Sequence, residues 1–221
     1  SRAALATAPG DTVLINEGLY TETVYVTCSG APGKPITFKA APNAEVWLEG
    51  DSRRFCRAFA AFGKKHLVFD GFRFKNYGTA FPNSSGVFLT IGGRDIRITR
   101  CFNDGRGRGY AAPLIHARNS AKVLVNNCVS MTSMAAMTFV ETSDVTVTNN
   151  VFRKAAIWTL AFHSSTGKNK VLFANNIVSD NIRAKTFQAL LMLSRPECLI
   201  ERNNIYYLRL PRNLRKVIEV N

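Results

Sequence analysis

The sequence predicts an all-β protein folded as a single-stranded parallel β-helix, with a short helix capping its N-terminal end. Two observations predict this fold: a motif recurs at spacings of 22 to 29 residues, and each copy alternates apolar and polar residues as a half-buried strand does. Repeats of this length are typical of solenoids, in which each repeat stacks on its neighbour. The 221 residues are 46 % hydrophobic and 20 % charged, which excludes intrinsic disorder.

The recurring motif is an alternating strand that ends in a polar corner. One column of its alignment contains Phe72, Cys101, Cys128, Asn150, Asn176 and Asn203. We expect this column to point inward at one corner of successive coils, because stacked Asn side chains can hydrogen-bond to the corner backbone and to one another. Cys101 and Cys128 should be stacked neighbours in this column, and we expect both to be reduced. A disulfide between them is the alternative, although the Cβ separation between coils is long for one.

A second apolar or alternating run precedes each copy and predicts a second strand in every coil. These runs are Ala58–Phe62, Val87–Ile91, Leu114–Arg118, Met137–Glu141, Thr159–His163 and Leu190–Ser194. A further run, Val217–Val220, begins a coil that the sequence does not continue. We therefore expect residues 1–221 to be one β-helix domain that is a fragment of a longer chain, or one whose C-terminal strand edge self-associates.

The N-terminal segment predicts a short helix over Arg2–Ala8, ended by Pro9-Gly10-Asp11. The string PGDTVLI…GLYTETVYV…SG…GKPITFKA that follows resembles the first two coils of the pectate-lyase-like right-handed β-helix proteins. The resemblance is closest to the branch that contains alginate lyases and chondroitinase B, and the repeats extend it over nearly the whole chain. It implies a right-handed solenoid and an acidic polysaccharide as the partner, although this fold supports several unrelated activities.

In this family an elongated carbohydrate lies across the sheet formed by one strand from each coil. The matching strand ends in this chain carry Thr90, His116, Arg118, Glu141, His163, Ser194 and Arg195. We expect a ladder of side chains at the ~4.8 Å spacing of the coils, in which Arg118 or Arg195 binds a uronate carboxylate. His163 or His116 would then abstract the C5 proton, as β-elimination requires. The alternative is that these residues are solvated strand ends with no ligand.

The residues themselves indicate no cofactor, but the resemblance implies a calcium ion held by acidic and amide groups. Glu141 and Asp144 are the tight acidic pair near the expected face, and two acids within one turn more often cap the turn than hold a metal. The strand Trp158–His163, which follows Asn150-Val151-Phe152, carries no acid or Lys. This chain departs from the family's catalytic pattern at that point.

The chain is strongly basic, with 29 Lys and Arg against 15 Asp and Glu and a formal charge of +14. Such a charge attracts polyanions, but no reading helix, RNA-binding string or zinc module indicates a specific nucleic acid. No apolar run reaches the ~18–20 residues of a membrane span. The leading hypothesis is an extracellular, periplasmic or cell-surface protein that binds an acidic polysaccharide and cleaves it by β-elimination. The alternative is a non-enzymatic structural or adhesive segment of a larger surface protein.

Overall fold

The computed structural model describes residues 2–51, 57–78, 86–105, 112–131, 135–154, 158–165, 169–179, 191–193, 197–207 and 218–220. Within these residues the chain forms one short helix, α1 (Arg2–Leu5), and three parallel sheets of eight strands each. Each coil contributes one strand to each sheet, so strands three apart in the chain are neighbours. The predicted parallel β-helix with its short N-terminal helix is confirmed.

The three sheets are named A, B and C in the order in which each coil visits them. Sheet A consists of β1 (Thr12–Ile15), β4 (Ile36–Ala40), β7 (Lys65–Asp70), β10 (Arg94–Thr99), β13 (Ala121–Asn126), β16 (Ser143–Thr148), β19 (Lys170–Ala174) and β22 (Cys198–Arg202). Sheet B consists of β2 (Gly18–Tyr20), β5 (Val46–Glu49), β8 (Arg73–Lys75), β11 (Phe102–Asp104), β14 (Val129–Met131), β17 (Val151–Arg153), β20 (Ile177–Ser179) and β23 (Ile205–Tyr207). Sheet C consists of β3 (Val24–Tyr25), β6 (Phe59–Phe62), β9 (Phe88–Ile91), β12 (Ile115–Arg118), β15 (Ala135–Val140), β18 (Trp158–His163), β21 (Leu191–Leu193) and β24 (Ile218–Val220).

The hydrophobic core lies between the three sheets because alternate residues of every strand point inward. One inward column of sheet A contains Phe38, Phe69, Ile98, Val125, Val147 and Phe173, all at most 3 % exposed. Burying each of these side chains contributes about 1.5–3 kcal/mol. The same column continues to Glu201 in β22, whose carboxylate accepts hydrogen bonds from Asn204 Nδ2 at 2.7 Å and from the Tyr206 hydroxyl at 2.8 Å.

The corner between sheets A and B contains the Asn ladder that the sequence predicts. The Nδ2 groups of Asn150 and Asn176 donate to the carbonyls of Val125 and Val147, each one coil back, at 3.0 Å. Their Oδ1 atoms accept backbone N–H groups of the preceding ladder residue: Asn150 accepts from Cys128 at 2.8 Å, and Asn176 accepts from Asn150 at 3.0 Å. Both Asn side chains are buried, so the expectation of an inward ladder is confirmed.

The member of the ladder that follows Asn176 is Asn204, so the expectation that Asn203 occupies this position is wrong. Asn204 Oδ1 accepts the N–H of Asn176 at 2.8 Å, and its Nδ2 donates to the carbonyl of Phe173 at 2.9 Å. Asn203 is exposed instead, with a left-handed φ of 54°. The residue before every ladder position has this conformation: Gly71, Arg100, Asn127, Asn149 and Asn175. Asn tolerates it better than most residues, so in each doublet the first Asn turns the chain and the second joins the ladder.

Cys101 and Cys128 continue the same column as free thiols. The backbone N–H of Cys101 donates to Cys128 Sγ at 3.4 Å, and the Cys128 thiol donates to the carbonyl of Asn126 at 3.2 Å. Burial raises the pKa of the Cys101 thiol well above its usual range. The expectation that these two cysteines are reduced is confirmed.

Candidate functional site

The candidate site lies on the outer face of sheet C, where two columns of side chains run across successive coils. Strand register places Phe62, Ile91, Arg118, Val140 and His163 in one column, which we call the His163 column. The neighbouring His116 column contains Tyr25, Ala60, Leu89, His116, Thr138 and Ala161. Since coils are ~4.8 Å apart, Arg118 and His163 lie about 10 Å apart along the column.

The two columns differ in their accessibility. Much of the His116 column is buried: Ala60, Leu89, His116 and Ala161 are all at most 3 % exposed. The backbone at Gly86 packs directly on His116, since a Cβ added to Gly86 would lie 2.8 Å from the His116 Cβ. In the His163 column, by contrast, Arg118 is exposed and His163 is partly exposed. A ligand can therefore reach the His163 column.

His116 is buried without a complete set of hydrogen bonds. Its exposed fraction is 2 %, and its Nδ1 has no hydrogen-bond partner among the described residues. Burial lowers the pKa of His116 to about 4, with further contributions from the positive charges of Arg118 and His163. The imidazole is therefore neutral at physiological pH.

Arg118 and His163 combine a cation with a neutral base on the accessible column. Within the described part of the chain, neither the Arg118 guanidinium nor the His163 ring has a hydrogen-bond or ion-pair partner. Partial burial lowers the pKa of His163, so its imidazole is neutral at neutral pH and can accept a proton. Val140, which lies between them, presents a small apolar surface on which a sugar ring could rest.

Glu141 lies one residue beyond the end of β15, at the corner that follows sheet C. It has a left-handed φ of 47°, and the same conformation occurs at the equivalent positions Gly63, Gly92 and Asn119. Its carboxylate accepts the N–H of Ser165 at 2.6 Å and the hydroxyl of Ser164 at 3.4 Å. The acid therefore contacts the turn of the next coil and lies out of register with Arg118 and His163.

The expected ladder is thus less regular than the sequence suggested. Thr90 pairs with Ala117 in an inward column and is 3 % exposed, so its expected place on the outer face is wrong. His116 and Arg118 occupy neighbouring columns because they are two residues apart on β12. Ser194 and Arg195 lie outside the described residues. The structure places Arg118 and His163 two coils apart in one column, with the buried His116 in the neighbouring column.

The described residues do not fit the calcium site that the resemblance implied. Ca²⁺ needs about six to eight oxygen ligands, whereas no group of three His, Cys, Asp or Glu side chains in the described part of the chain could hold a metal ion. Asp144, the expected partner of Glu141, is the second residue of β16 in sheet A and has a left-handed φ of 54°. No step proposed below uses a metal.

Among the described residues, cavities also lie away from this face, and two of them have defined linings. The larger, about 260 Å³, opens at the N-terminal end of the solenoid and is lined by Leu14, Tyr20, Phe38, Phe59 and Phe72, among others. The second, about 190 Å³, lies on sheet A beside Lys170 and Ile200.

None of the helices in the described residues is long and apolar enough to cross a membrane.

Sequence reasoning missed two exposed aromatic residues on the same face. Phe62 is 44 % exposed in the His163 column, and Tyr25 is 55 % exposed at the start of the His116 column. A signal for Phe62 was available, because it ends the run Ala58–Phe62 just as Arg118 and His163 end theirs.

Known proteins share this architecture. The family model described as "Right handed beta helix region" matches residues 46–207. The uncharacterized protein YwoF of Bacillus subtilis (strain 168) is 29 % identical over 111 residues, which are 48 % of this chain. Those residues cover 24 % of YwoF, so the chain spans about a quarter of the length of this curated relative.

Two solved structures show how widely the fold is shared. An alginate lyase from Paenibacillus sp. str. FPU-7 superimposes with a TM-score of 0.60 at 12 % identity, over 100 % of this chain and 95 % of the lyase. A pectin methylesterase variant in complex with a hexasaccharide superimposes with a TM-score of 0.51 at 10 % identity, over 98 % of this chain and 87 % of the esterase. At such low identity the likeness concerns the fold alone.

Proposed function

We propose that this chain, which belongs to the right-handed β-helix family, binds an acidic polysaccharide on the outer face of sheet C. The observation that carries the proposal is the pairing of Arg118 with His163 in one accessible column, where neither side chain has a partner among the described residues. A guanidinium can bind a carboxylate through two parallel hydrogen bonds. In this proposal Arg118 binds the carboxylate of one uronate unit.

The overall charge supports an anionic ligand. With 29 basic against 15 acidic residues, the protein attracts polyanions from a distance and concentrates them at its surface. Salt screens the interactions between exposed charges, which extend over only ~8–10 Å at physiological ionic strength. Affinity for a polyuronate should therefore decline as salt is added. The fold also supports the proposal, because an alginate lyase and an esterase in complex with a hexasaccharide share it.

The same pair of residues could also perform β-elimination. Arg118 would neutralise the uronate carboxylate and so acidify the adjacent C5 proton, which the neutral imidazole of His163 would accept. The electron pair of the C5–H bond would form the C4–C5 double bond as the bond from C4 to the glycosidic oxygen breaks. The proton held by His163 would then pass to that leaving oxygen. His116 is only 2 % exposed, so in this scheme it supports the pair from beneath, and Glu141 orders the adjacent turn.

The substrate class also implies a location. Acidic polysaccharides of the kind an elongated sheet face can hold are polymers of cell surfaces and matrices, so the proposal places the protein outside the cytoplasm, in an extracellular, periplasmic or cell-surface setting. Fractionation of expressing cells would test this part of the proposal separately.

Binding is tested by titrating the protein with polygalacturonate, alginate and a neutral dextran at several salt concentrations. We expect the two polyuronates to bind and the dextran not to bind. Arg118→Ala should weaken polyuronate binding by about 10- to 100-fold, since a hydrogen bond to a charged group contributes ~1.5–3 kcal/mol. Arg202→Ala is the matched control, because Arg202 is also an exposed strand Arg but lies on sheet A. Equal binding of dextran and polyuronate would contradict the proposal.

Cleavage is tested by the ultraviolet absorbance of the unsaturated uronate that elimination produces. His163→Ala should lower turnover by about 10²–10⁴-fold, as the loss of a general base does, and leave binding nearly unchanged. Full activity in this variant would exclude His163 as the base. Binding without any unsaturated product would favour the alternative, a non-enzymatic structural or adhesive segment.

A further inference from the structure

The outer face of sheet C carries exposed aromatic side chains in line with Arg118 and His163. Phe62 lies in the His163 column, two coils on the N-terminal side of Arg118, and is 44 % exposed. Tyr25 lies one further coil away in the adjacent column and is 55 % exposed. The two residues therefore form an aromatic end of the face, and Arg118 and His163 form its charged and basic part.

Neither aromatic side chain has an evident structural role. Within the described residues, no ring contact or cation–π contact involves Phe62 or Tyr25, although the core contains many Phe–Phe contacts. Trp47 on sheet B makes an instructive contrast. Its ring has the Arg73 guanidinium and the Lys75 ammonium 5.7 Å from its centroid, so the protein's own cations already occupy it.

We infer that Phe62, with Tyr25 beside it, is an aromatic subsite on which the apolar face of a sugar ring packs, so that the glycan runs along the His163 column. This inference rests on the proposed function and adds a second contact point, which sets a minimum length for the bound chain. From Phe62 to His163 the column crosses four coil steps, about 19 Å at the spacing of parallel strands. This distance matches an oligosaccharide of several sugars, with one unit on Phe62 and another on Arg118.

The chemistry of an aromatic ring fits this position. Sugar rings have one face rich in C–H groups, and such a face packs well against a flat aromatic side chain that is rigid and already exposed. Ligand-binding sites combine apolar and aromatic surface with a small number of placed polar groups. Ile91, between Phe62 and Arg118, is partly buried and continues the apolar floor of the column. The subsite should therefore raise the affinity for glycans long enough to reach it, and it should leave the affinity for shorter glycans unchanged.

The test compares long and short oligogalacturonates on matched variants. Phe62→Ala should weaken binding of a long oligogalacturonate by about three- to tenfold, the range expected for one aromatic contact, and should leave binding of a disaccharide unchanged. Phe62→Trp should retain the binding of both. Leu19→Ala removes a similarly exposed apolar side chain from β2 of sheet B, and it should change neither.

The outcomes separate this inference from the proposed function. If Phe62→Ala leaves both lengths unaffected, or weakens both equally, the aromatic subsite is refuted while binding at Arg118 stands. If the wild-type protein binds neither oligogalacturonate, the proposed function falls, and the subsite falls with it. Because Phe62 is an exposed side chain, Phe62→Ala should keep the wild-type unfolding midpoint. This measurement confirms that any loss of affinity comes from the contact itself.

Discussion

The corner between sheets A and B and the outer face of sheet C are built from the same repeats. They differ in whether their polar side chains have hydrogen-bond partners. At the corner, Asn150 and Asn176 each use both ends of the amide for hydrogen bonds to neighbouring coils. On the face, the Nδ1 of His116 is buried without a partner among the described residues, and its neighbours Arg118 and His163 are likewise unpartnered there.

This difference distinguishes polar groups whose hydrogen bonds the fold satisfies from polar groups that it leaves unpaired. A buried polar group that leaves hydrogen bonds unmade costs about 1–3 kcal/mol, so satisfied groups such as the ladder amides stabilise the fold. Unsatisfied ones such as His116 reduce stability and persist where another requirement maintains them. The stability of the two regions should therefore respond differently to substitution and to pH.

The largest expected effect is the acid sensitivity caused by His116. Because its pKa is about 4 in the folded protein and ~6.5 when unfolded, the unfolded state binds the extra proton between these values. Stability should therefore fall by up to about 3 kcal/mol as pH is lowered from 6.5 to 4, and His116 should have no such effect above pH 7. His116→Leu, which copies Leu89 one coil back, should remove this part of the pH dependence.

Denaturant unfolding of the wild type and of His116→Leu at pH 7.0, 5.5 and 4.5 (chosen to span that window) measures the effect. The stability difference between the two proteins should widen in favour of the variant as the pH falls. A constant difference in stability at all three pH values would show that His116 has the same pKa in the folded and unfolded states. The face and the corner would then not differ in how their stability responds to pH.

The next effect concerns the ladder. Asn176→Ala should lower the free energy of unfolding by about 1–3 kcal/mol, because the N–H of Asn150 and the carbonyl of Val147 lose their partner while buried. Asn175→Gly is the matched control one residue earlier. Asn175 has a φ of 56° and is exposed, and glycine adopts this conformation without strain, so this variant should change stability by less than about 0.5 kcal/mol. Equal losses in both variants would refute the division of labour within the Asn doublet.

Sequence alone predicted the corner far better than the face. The solenoid, the short helix and the inward ladder follow from a register that every coil repeats, because each coil must satisfy the same corner backbone groups. The one error there, Asn203 in place of Asn204, arose because both residues of the doublet are Asn and only their backbone conformations distinguish them.

The face could be predicted only in part because no repeat constrains it. Arg118 and His163 share a column, as the run ends suggested, but nothing in the sequence reveals that the backbone of Gly86 in the neighbouring coil packs on His116. The turn that places Glu141 out of register depends on a left-handed residue just beyond the strand. Contacts of this kind join segments whose separation varies from coil to coil, so alternation within one strand does not reveal them.

The smallest expected effect lies within the ladder column itself, where thiols replace amides. Cys128 Sγ accepts the N–H of Cys101 at 3.4 Å and lies 3.8 Å from the carbonyl of Ile98, the positions that Asn Oδ1 and Nδ2 contact elsewhere in the column. Cys128→Asn should replace these weak sulfur contacts with amide hydrogen bonds and stabilise the protein by about 0.5–1.5 kcal/mol. Cys28→Asn, at a partly buried thiol outside the column, should give no gain. Denaturant unfolding measures the change. If Cys128→Asn destabilises the protein, the aromatic core beneath this part of the column has no room for an amide. Packing would then explain why the Asn ladder begins at Asn150 and not at Cys128.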